Sequence, residues 1–271
     1  MSNMVACDFL VIGSGIGGLM FALKAADYGS VAIVTKSDLA ESNTTYAQGG
    51  IASVWSPGDS FESHVSDTML AGAGLCHRQV VEGVVREGPD RIRELIGLGT
   101  RFSVSEDSED REYDLAREGG HSARRILHAS DATGREIERA LIEAVRNKKN
   151  VQIFEHHMAF DLLVDVKFNP RIFHPQCWGA YVLDRKANCV STFLGGATIL
   201  ATGGVGKVYL YTSNPDVATG DGVAAAFRAG VPVANMEFVQ FHPTCLFHPK
   251  AKSFLISEAL QIGRASCRER V

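Results

Sequence analysis

Gly13-Ser-Gly-Ile-Gly-Gly18 is the stretch that decides the fold. It follows the β-branched and aromatic run Asp8 to Ile12 and precedes the helix formers Leu19 to Tyr28, after which Val31 to Thr35 predicts a second strand. The G-x-G-x-x-G spacing lets one glycine make a tight turn, one approach a pyrophosphate and one pack a helix. Because the stretch lies inside a β-α-β unit, we predict a parallel strand pair that binds a dinucleotide. A glycine-rich turn without a ligand is the alternative.

The end of the second predicted strand argues against a simple NAD site. NAD-binding versions place an acidic residue about 20 positions after the glycines, where it accepts hydrogen bonds from the ribose. This chain has Lys36 there, and a lysine ammonium only donates. Lys36 could meet a phosphate or a ribose oxygen, or it could be an exposed loop residue. The residue alone leaves both open.

Composition and charge exclude several classes of protein. Lys plus Arg number 27 against 31 Asp plus Glu, a net charge of −4 that argues against nucleic-acid binding. The 45% hydrophobic and 21% charged residues predict a globular chain rather than a disordered one. The longest apolar runs are far shorter than the roughly 20 residues that span a bilayer, and the N-terminus lacks a charged signal region. We therefore expect a soluble, cytoplasmic protein with no nucleic-acid or membrane partner.

The remaining pattern mixes helices with short strands. Lys36 to Gly74 predicts a long loop. Arg78 to Leu98 predicts two helices or one kinked at Gly88-Pro89, and Thr133 and Glu136 predict a capping box at the start of another helix. A last helix is expected over Asp221 to Arg228, and strands are expected at residues 151–154, 159–166, 178–183, 189–193 and 197–200. Such sequential short strands favour an antiparallel meander. The six cysteines form no C-x-x-C pair, so no metal site is predicted.

Six motifs occur in order between Gly13 and Thr244, and the resemblance that they carry covers residues 7–260. Together they resemble the fumarate reductase and succinate dehydrogenase flavoprotein superfamily and, within it, the L-aspartate oxidase branch. The motifs are Gly13 to Gly18, Glu41-Ser-Asn-Thr-Thr-Tyr-Ala-Gln-Gly-Gly50, Arg117-Glu-Gly-Gly-His121, Thr198-Ile-Leu-Ala-Thr-Gly-Gly204, Thr219-Gly-Asp-Gly222 and Glu237-Phe-Val-Gln-Phe-His-Pro-Thr244.

The resemblance implies an α/β fold, with a Rossmann-like FAD-binding domain that joins a parallel sheet to an antiparallel β-meander. This domain is expected over residues 1–241, and the start of a capping domain over 242–260. Residues 261–271 are expected to be a tail unrelated to the family, because the family pattern breaks off after Leu260. We therefore expect a truncated chain with little or no oxidase activity of its own.

The cofactor implied by the resemblance is FAD. Its pyrophosphate is expected on the helix after the glycines, its ribityl chain and flavin ring near Lys36, the 43–50 loop and Asp221, and its adenosine near Met158. Membrane-bound relatives carry a flavin-linking histidine where this chain has Asn43, so the FAD is expected to be non-covalent. The implied cofactor-binding residues are Gly13, Ser14, Gly15, Ile16, Gly17, Gly18, Lys36, Asn43, Thr44, Thr45, Tyr46, Ala47, Gln48, Gly49, Gly50, Met158, Ala159, Ala201, Thr202, Gly203 and Asp221.

The implied substrate is L-aspartate, which carries an ammonium that succinate lacks. Glu118 resembles the branch-specific residue that pairs with this ammonium; a solvated loop glutamate is the alternative. The resemblance implies Glu118 and His242 as catalytic residues and Gln240, Ser257 and Glu258 as substrate contacts. His121, His128, His156 and His157 receive no role.

The implied reaction moves a hydride from the aspartate Cα to flavin N5 and yields iminoaspartate. O2 or fumarate would reoxidise the flavin, and quinolinate synthase would use the product in NAD biosynthesis. Two alternatives stay open, namely a soluble fumarate reductase or succinate dehydrogenase flavoprotein and a non-catalytic FAD-binding fragment.

Overall fold

The computed structural model describes residues 4–105, 112–130, 132–169, 171–241, 245–248 and 251–255. The chain divides into a first unit, Met1–Tyr46 with Ile142–Val271, and a second unit, Ala47–Leu141. The domain boundaries predicted at residues 241 and 260 stay predictions. No described helix has the length and apolar character needed to cross a membrane.

The described elements are a mixture of helices and strands. In chain order they are β1 (Met4–Ile12), α1 (Ile16–Ala25), β2 (Val31–Val34), β3 (Ile51–Ala52), α2 (Phe61–Ala71), α3 (Arg78–Gly97), β4 (Leu115–Ala116), β5 (Ile126–Leu127), α4 (Thr133–Arg146), β6 (Val151–Phe154), β7 (His157–Val164), β8 (Cys177–Asp184), β9 (Cys189–Leu200), α5 (Asp221–Arg228), β10 (Cys245–His248) and β11 (Ala251–Leu255). Short 3-10 turns occur at Asp165–Lys167 and Gly206–Val208.

A six-stranded sheet in the order β6-β2-β1-β9-β8-β7 forms the first unit. Strands β6, β2, β1 and β9 are parallel, and β8 and β7 continue the sheet antiparallel from β9. Leu10, Ile33 and Phe193 belong to its core and are at most 1% exposed. The predicted combination of a parallel sheet with an antiparallel meander is therefore confirmed, and β10 and β11 form a separate antiparallel pair.

Three neighbouring strands end together at one edge of this sheet. Ile12 of β1 pairs with Val34 of β2 on one side and with Leu200 of β9 on the other. Each of these residues is the last of its strand. The glycine-containing segments that follow β1 and β9 therefore leave the sheet side by side, which is the position where open α/β sheets bind ligands.

Strand β9 is one continuous strand of 12 residues, so the prediction of two strands at 189–193 and 197–200 was wrong. A β-carbon at Gly195 would lie 2.9 Å from Leu10 Cβ, and one at Gly196 would lie 3.0 Å from Asp8 O. The two glycines let β9 lie close to β1 and do not mark a turn.

The second unit contains α2 and α3 and the three-stranded sheet β3-β5-β4. The long loop predicted over residues 36–74 was wrong at α2, which begins after Ser60, whose Oγ accepts a hydrogen bond from Ser63 N at 3.1 Å. Only His64 and Val65 of α2 are buried. The helix therefore needs no wide apolar stripe, which is the sequence pattern that would have predicted it. The alternatives for α3 are resolved in favour of one helix that contains Pro89.

The predicted capping box at the start of α4 was also wrong. Thr133 Oγ1 accepts from Ala129 N at 2.9 Å, which lies before the helix. The Glu136 carboxylate accepts from Arg101 N at 2.9 Å and pairs with Arg139. Both side chains therefore anchor neighbouring segments and leave the predicted reciprocal cap unmade.

Candidate functional site

A cleft of about 350 Å³ lies in the first unit at the edge where β1, β2 and β9 end. It collects side chains and backbone from four of the six motifs, those that begin at Gly13, Glu41, Thr198 and Thr219, and from segments outside the motifs. The predicted cofactor-binding residues that line it are Gly13, Ser14, Gly15, Ile16, Gly17, Lys36, Asn43, Thr44, Met158, Ala159, Ala201, Thr202, Gly203 and Asp221.

Gly13 and Gly18 are packed against backbone at the turn beside the cleft. Gly13 has φ +112°, and a β-carbon there would lie 2.1 Å from Ala201 O. A β-carbon at Gly18 would lie 2.1 Å from Gly13 O, so Gly18 packs α1 onto the turn and does not line the cleft. At Gly17 a β-carbon would meet nothing within 4 Å. The middle of the stretch is therefore open towards the cleft while its two ends are packed.

The N-terminus of α1 faces the same cleft. Gly15 is its N-cap and makes no side-chain cap, and its first turn has no acidic residue. Ile16 N donates to Thr44 Oγ1 at 3.1 Å, which joins the helix start to the loop at Asn43 and Thr44. Free N–H groups and the positive end of the helix dipole stabilise an anion at such a place. The cleft floor therefore suits a pyrophosphate.

An ion pair forms part of the cleft wall. The Lys36 ammonium pairs with an Asp221 carboxylate oxygen and also donates to Thr219 Oγ1 at 2.5 Å. Thr219 Oγ1 in turn donates to the second Asp221 oxygen at 2.8 Å. Lys36 is thus a half-buried residue of the cleft rather than an exposed loop lysine. It supplies donors and Asp221 supplies acceptors at the point where β2 ends and α5 begins.

The loop after Thr44 turns away from the cleft lining. Thr45 Oγ1 donates to Ala40 O at 2.5 Å, and the Tyr46 hydroxyl donates to the Glu41 carboxylate at 3.0 Å. Neither residue lines the cleft. The other predicted contacts of this loop, Ala47, Gln48, Gly49 and Gly50, belong to the second unit and stay predictions.

Several cleft residues were missed by the sequence reasoning. Thr35 directly follows β2, and its Oγ1 accepts a hydrogen bond from Ser14 Oγ at 3.1 Å in a buried contact. His157, which received no role, lines the cleft with its ring against Phe154 and Phe193. Glu41 and Ser42 lie inside the motif Glu41 to Gly50, which was a usable signal for both. The missed lining residues are Ile12, Val34, Thr35, Glu41, Ser42, His157, Val217 and Ala218.

Glu118 lies half-buried in the second unit. Its Oε1 accepts from Gly50 N at 3.4 Å, and His121 N donates to Glu118 O at 3.3 Å. Gln240 is exposed. His242, Ser257 and Glu258 lie outside the described residues, so their predicted roles stay predictions.

A buried arginine in the second unit was not anticipated. Arg125 is fully buried, and its guanidinium makes two parallel 2.8 Å hydrogen bonds to Asp59 and a 2.7 Å bond to Asp67. These carboxylates keep the Arg125 pKa raised although burial opposes it. Hydrogen bonds from Ser122 N and Oγ, joined by Arg125, lower the Asp67 pKa to about 2. Because 66 and 58 positions separate the partners, no local pattern could reveal them.

His64 lies beside this cluster. Burial and the Arg125 charge lower its pKa, so the imidazole is held neutral at pH 7. Its Nδ1 is buried and has no hydrogen-bond partner among the described residues. No cluster in the described part of the chain could hold a metal ion.

A family model described as FAD binding domain matches residues 8–265. The chain belongs to the FAD binding domain family. The cofactor of this family is FAD, and the cleft fits it on the structure's own terms. The packed glycines, the open N-terminus of α1 and the Lys36–Asp221 pair provide an anion site followed by paired donors and acceptors. Together with the relatives described next, this match confirms the resemblance stated from the six motifs.

Curated relatives of this FAD binding domain chain are L-aspartate oxidases. L-aspartate oxidase 1 of Ralstonia nicotianae is 50% identical over 254 residues, which cover 94% of this chain and 47% of the relative. L-aspartate oxidase of Vibrio cholerae is 49% identical over 94% of this chain and 48% of its own length. The chain thus spans about half the length of these relatives.

Solved structures of similar fold include a quinol fumarate reductase and an Sdh1 protein. A quinol fumarate reductase of E. coli superposes with a TM-score of 0.86 at 31% identity, covering 96% of this chain and 42% of the other. The Sdh1 structure of Mycobacterium smegmatis gives a TM-score of 0.83 at 32% identity, with coverage of 96% and 44%. The fold is therefore that of the fumarate reductase flavoproteins.

Proposed function

We propose that the chain is the FAD-binding part of an enzyme that oxidises L-aspartate to iminoaspartate. The observation that carries this proposal is the Arg117-Glu-Gly-Gly-His121 turn, which presents a half-buried carboxylate beside Gly50. The identity of about 50% to L-aspartate oxidases supports the same substrate.

The first unit binds and orients the cofactor. The N-terminus of α1 would hold the pyrophosphate of FAD, and Lys36 and Asp221 would supply a donor and an acceptor to its polar groups. Asn43 lines the cleft, and an amide nitrogen is a poor nucleophile, so the flavin stays non-covalent. When bound, FAD supplies the oxidising chemistry by accepting a hydride from the substrate Cα.

Glu118 supplies the charge that distinguishes aspartate from succinate. A site built only for two carboxylates would leave the substrate ammonium without a partner, and an unpaired buried charge is strongly unfavourable. A glutamate carboxylate stabilises that ammonium. Gln240, His242, Ser257 and Glu258 are proposed to contact the substrate carboxylates, His242 through a donor nitrogen.

The product and the electrons need further partners. We propose that O2 or fumarate accepts the electrons. Iminoaspartate is unstable in water, so a consuming enzyme of the quinolinate synthase type would use it in NAD biosynthesis.

The similarity to fumarate reductases favours a second candidate, a soluble fumarate reductase. The complete protein that contains this chain, loaded with FAD, is assayed for iminoaspartate and peroxide with L-aspartate. We expect turnover, and we expect Glu118→Gln to raise the aspartate KM by about 10- to 100-fold, the range for a lost charged hydrogen bond, with little change for fumarate. Equal effects on both ligands would remove Glu118 from ammonium recognition, and fumarate reduction without aspartate oxidation would favour the second candidate.

A further inference from the structure

The weak contact of the Glu118 carboxylate needs an explanation. Its bond from Gly50 N is 3.4 Å long, beyond the usual range for N–H···O hydrogen bonds. Such a bond does not fix a side chain, so the carboxylate must be placed by the backbone that carries it.

The turn that carries Glu118 is held at both ends. Before it, β4 pairs with β5 through Leu115↔Leu127 and Ala116↔Ile126. After it, Ser122 donates from N and from Oγ to the same Asp67 oxygen, each at 2.8 Å. Asp67 lies on α2, so Ser122 ties the turn to a helix that is 55 positions away in the chain.

Arg125 fixes the position of Asp67. Arg125 Nη1 donates at 2.7 Å to the Asp67 oxygen that also accepts from Ser122. The Nε and Nη2 groups on another edge of the guanidinium donate to the two carboxylate oxygens of Asp59. Ser63 Oγ, also on α2, lies 3.0 Å from both Arg125 Nη2 and Ser122 Oγ. Because paired guanidinium and carboxylate groups have a fixed planar geometry, the network sets the angle between α2 and the turn.

We propose that Arg125, Asp59 and Asp67 are positioning residues that hold the Glu118 carboxylate where it recognises the substrate ammonium. The inference rests on the proposed function. A purely structural ion-pair network would affect every ligand and the folded state alike. A positioning network affects the ligand that carries the ammonium.

The test uses Asp67→Asn in the complete, FAD-loaded protein. This variant keeps an acceptor for Ser122 and removes the charge that Arg125 needs. Glu136→Gln is the matched control, because Glu136 is also a carboxylate of the second unit in an arginine pair, with Arg139 and Arg101 N as its partners. Both changes are made in the wild type and in Glu118→Gln. The measured values are kcat, the aspartate KM and the inhibition constant of succinate.

We expect Asp67→Asn to raise the aspartate KM about tenfold, since small displacements of a recognising group have large effects. Asp67→Asn should change the succinate inhibition constant and the kcat less than about twofold, and Glu136→Gln should change all three values less than about twofold. In the Glu118→Gln background, Asp67→Asn should raise the aspartate KM by less than a further factor of about two, because the two residues act in series. If Asp67→Asn does not fold, Ser122→Ala replaces it with the same expectations.

Three outcomes would overturn the inference. In the first, Asp67→Asn raises the aspartate KM and the succinate inhibition constant equally. In the second, Asp67→Asn raises the aspartate KM as much in Glu118→Gln as in the wild type. In the third, Glu136→Gln raises the aspartate KM as much as Asp67→Asn does. Any of them in an enzyme that oxidises aspartate leaves the proposed function intact. A wild-type protein that oxidises no aspartate would refute both the proposed function and the positioning role of the Arg125 network.

Discussion

At the scale of single residues, the cleft depends on where a β-carbon would collide. Gly13 and Gly18 are packed against backbone oxygens, whereas Gly17 is open. The G-x-G-x-x-G spacing predicted this division because each glycine has a separate steric task. It could not predict Thr35 or His157, whose places in the cleft depend on β2, β7 and the sheet edge rather than on their neighbours.

Gly13→Ala is expected to abolish FAD binding and to lower the free energy of unfolding by about 2 kcal/mol or more, because φ +112° and the Ala201 oxygen both oppose a side chain. The matched control is Gly83→Ala in α3, where a β-carbon meets nothing within 4 Å. That change should stabilise the helix by about 0.5–1 kcal/mol. Urea unfolding and FAD fluorescence titration check both. Normal FAD affinity in Gly13→Ala would contradict the packed turn.

Lys36→Met is expected to weaken FAD binding by about 10- to 100-fold, because it removes a charged donor and leaves Asp221 facing the cofactor without its partner. Lys207 pairs with Asp216 at 2.9 Å and does not line the cleft, so Lys207→Met is the control and should leave the FAD Kd unchanged. Isothermal titration with FAD gives both constants. Equal weakening would show that net charge, and not the ion pair of the cleft, sets the affinity.

At the scale of elements, local signals were sufficient where one segment carries the whole pattern. The order of strand, turn and helix at β1-α1-β2 was predicted, and α5 was predicted at its observed bounds. Strand β1 begins earlier, at Met4 rather than Asp8, and α1 spans Ile16–Ala25 rather than 19–28. Long-range packing decided the failures. Gly195 and Gly196 serve the contact of β9 with β1, and α2 is a polar helix tied to the distant Arg125 through Asp67.

Acid should loosen the contact between α2 and the turn. The Asp67 pKa is about 2 in the folded protein against an ordinary 3.8, so the folded state binds this proton less readily than the unfolded state. The stability from Asp67 is therefore present above pH 3.8 and is lost as the pH falls towards 2. Urea unfolding is measured from about pH 5 to about pH 2, a range that includes both pKa values. The free energy of unfolding should fall more steeply with pH in the wild type than in Asp67→Asn. Parallel curves would contradict this.

At the scale of the whole molecule, the family follows from the order of the motifs, and the proposed substrate depends on one turn of the second unit. Local sequence predicted the parallel strand pair and its glycine turn directly, and the resemblance carried by the motifs predicted the superfamily and FAD. The buried Arg125 network lay beyond such reasoning, since its partners come from segments far apart in the chain. It connects the turn that carries Glu118 to α2, and so to the packing of the second unit.

The most direct test is an anaerobic titration of the complete, FAD-loaded protein, followed by flavin absorbance. L-aspartate should bleach the yellow flavin, and succinate at the same concentration should leave it yellow, because only aspartate gives Glu118 an ammonium to bind. A flavin that stays oxidised with L-aspartate, or that succinate bleaches equally, would contradict the recognition of the aspartate ammonium by Glu118.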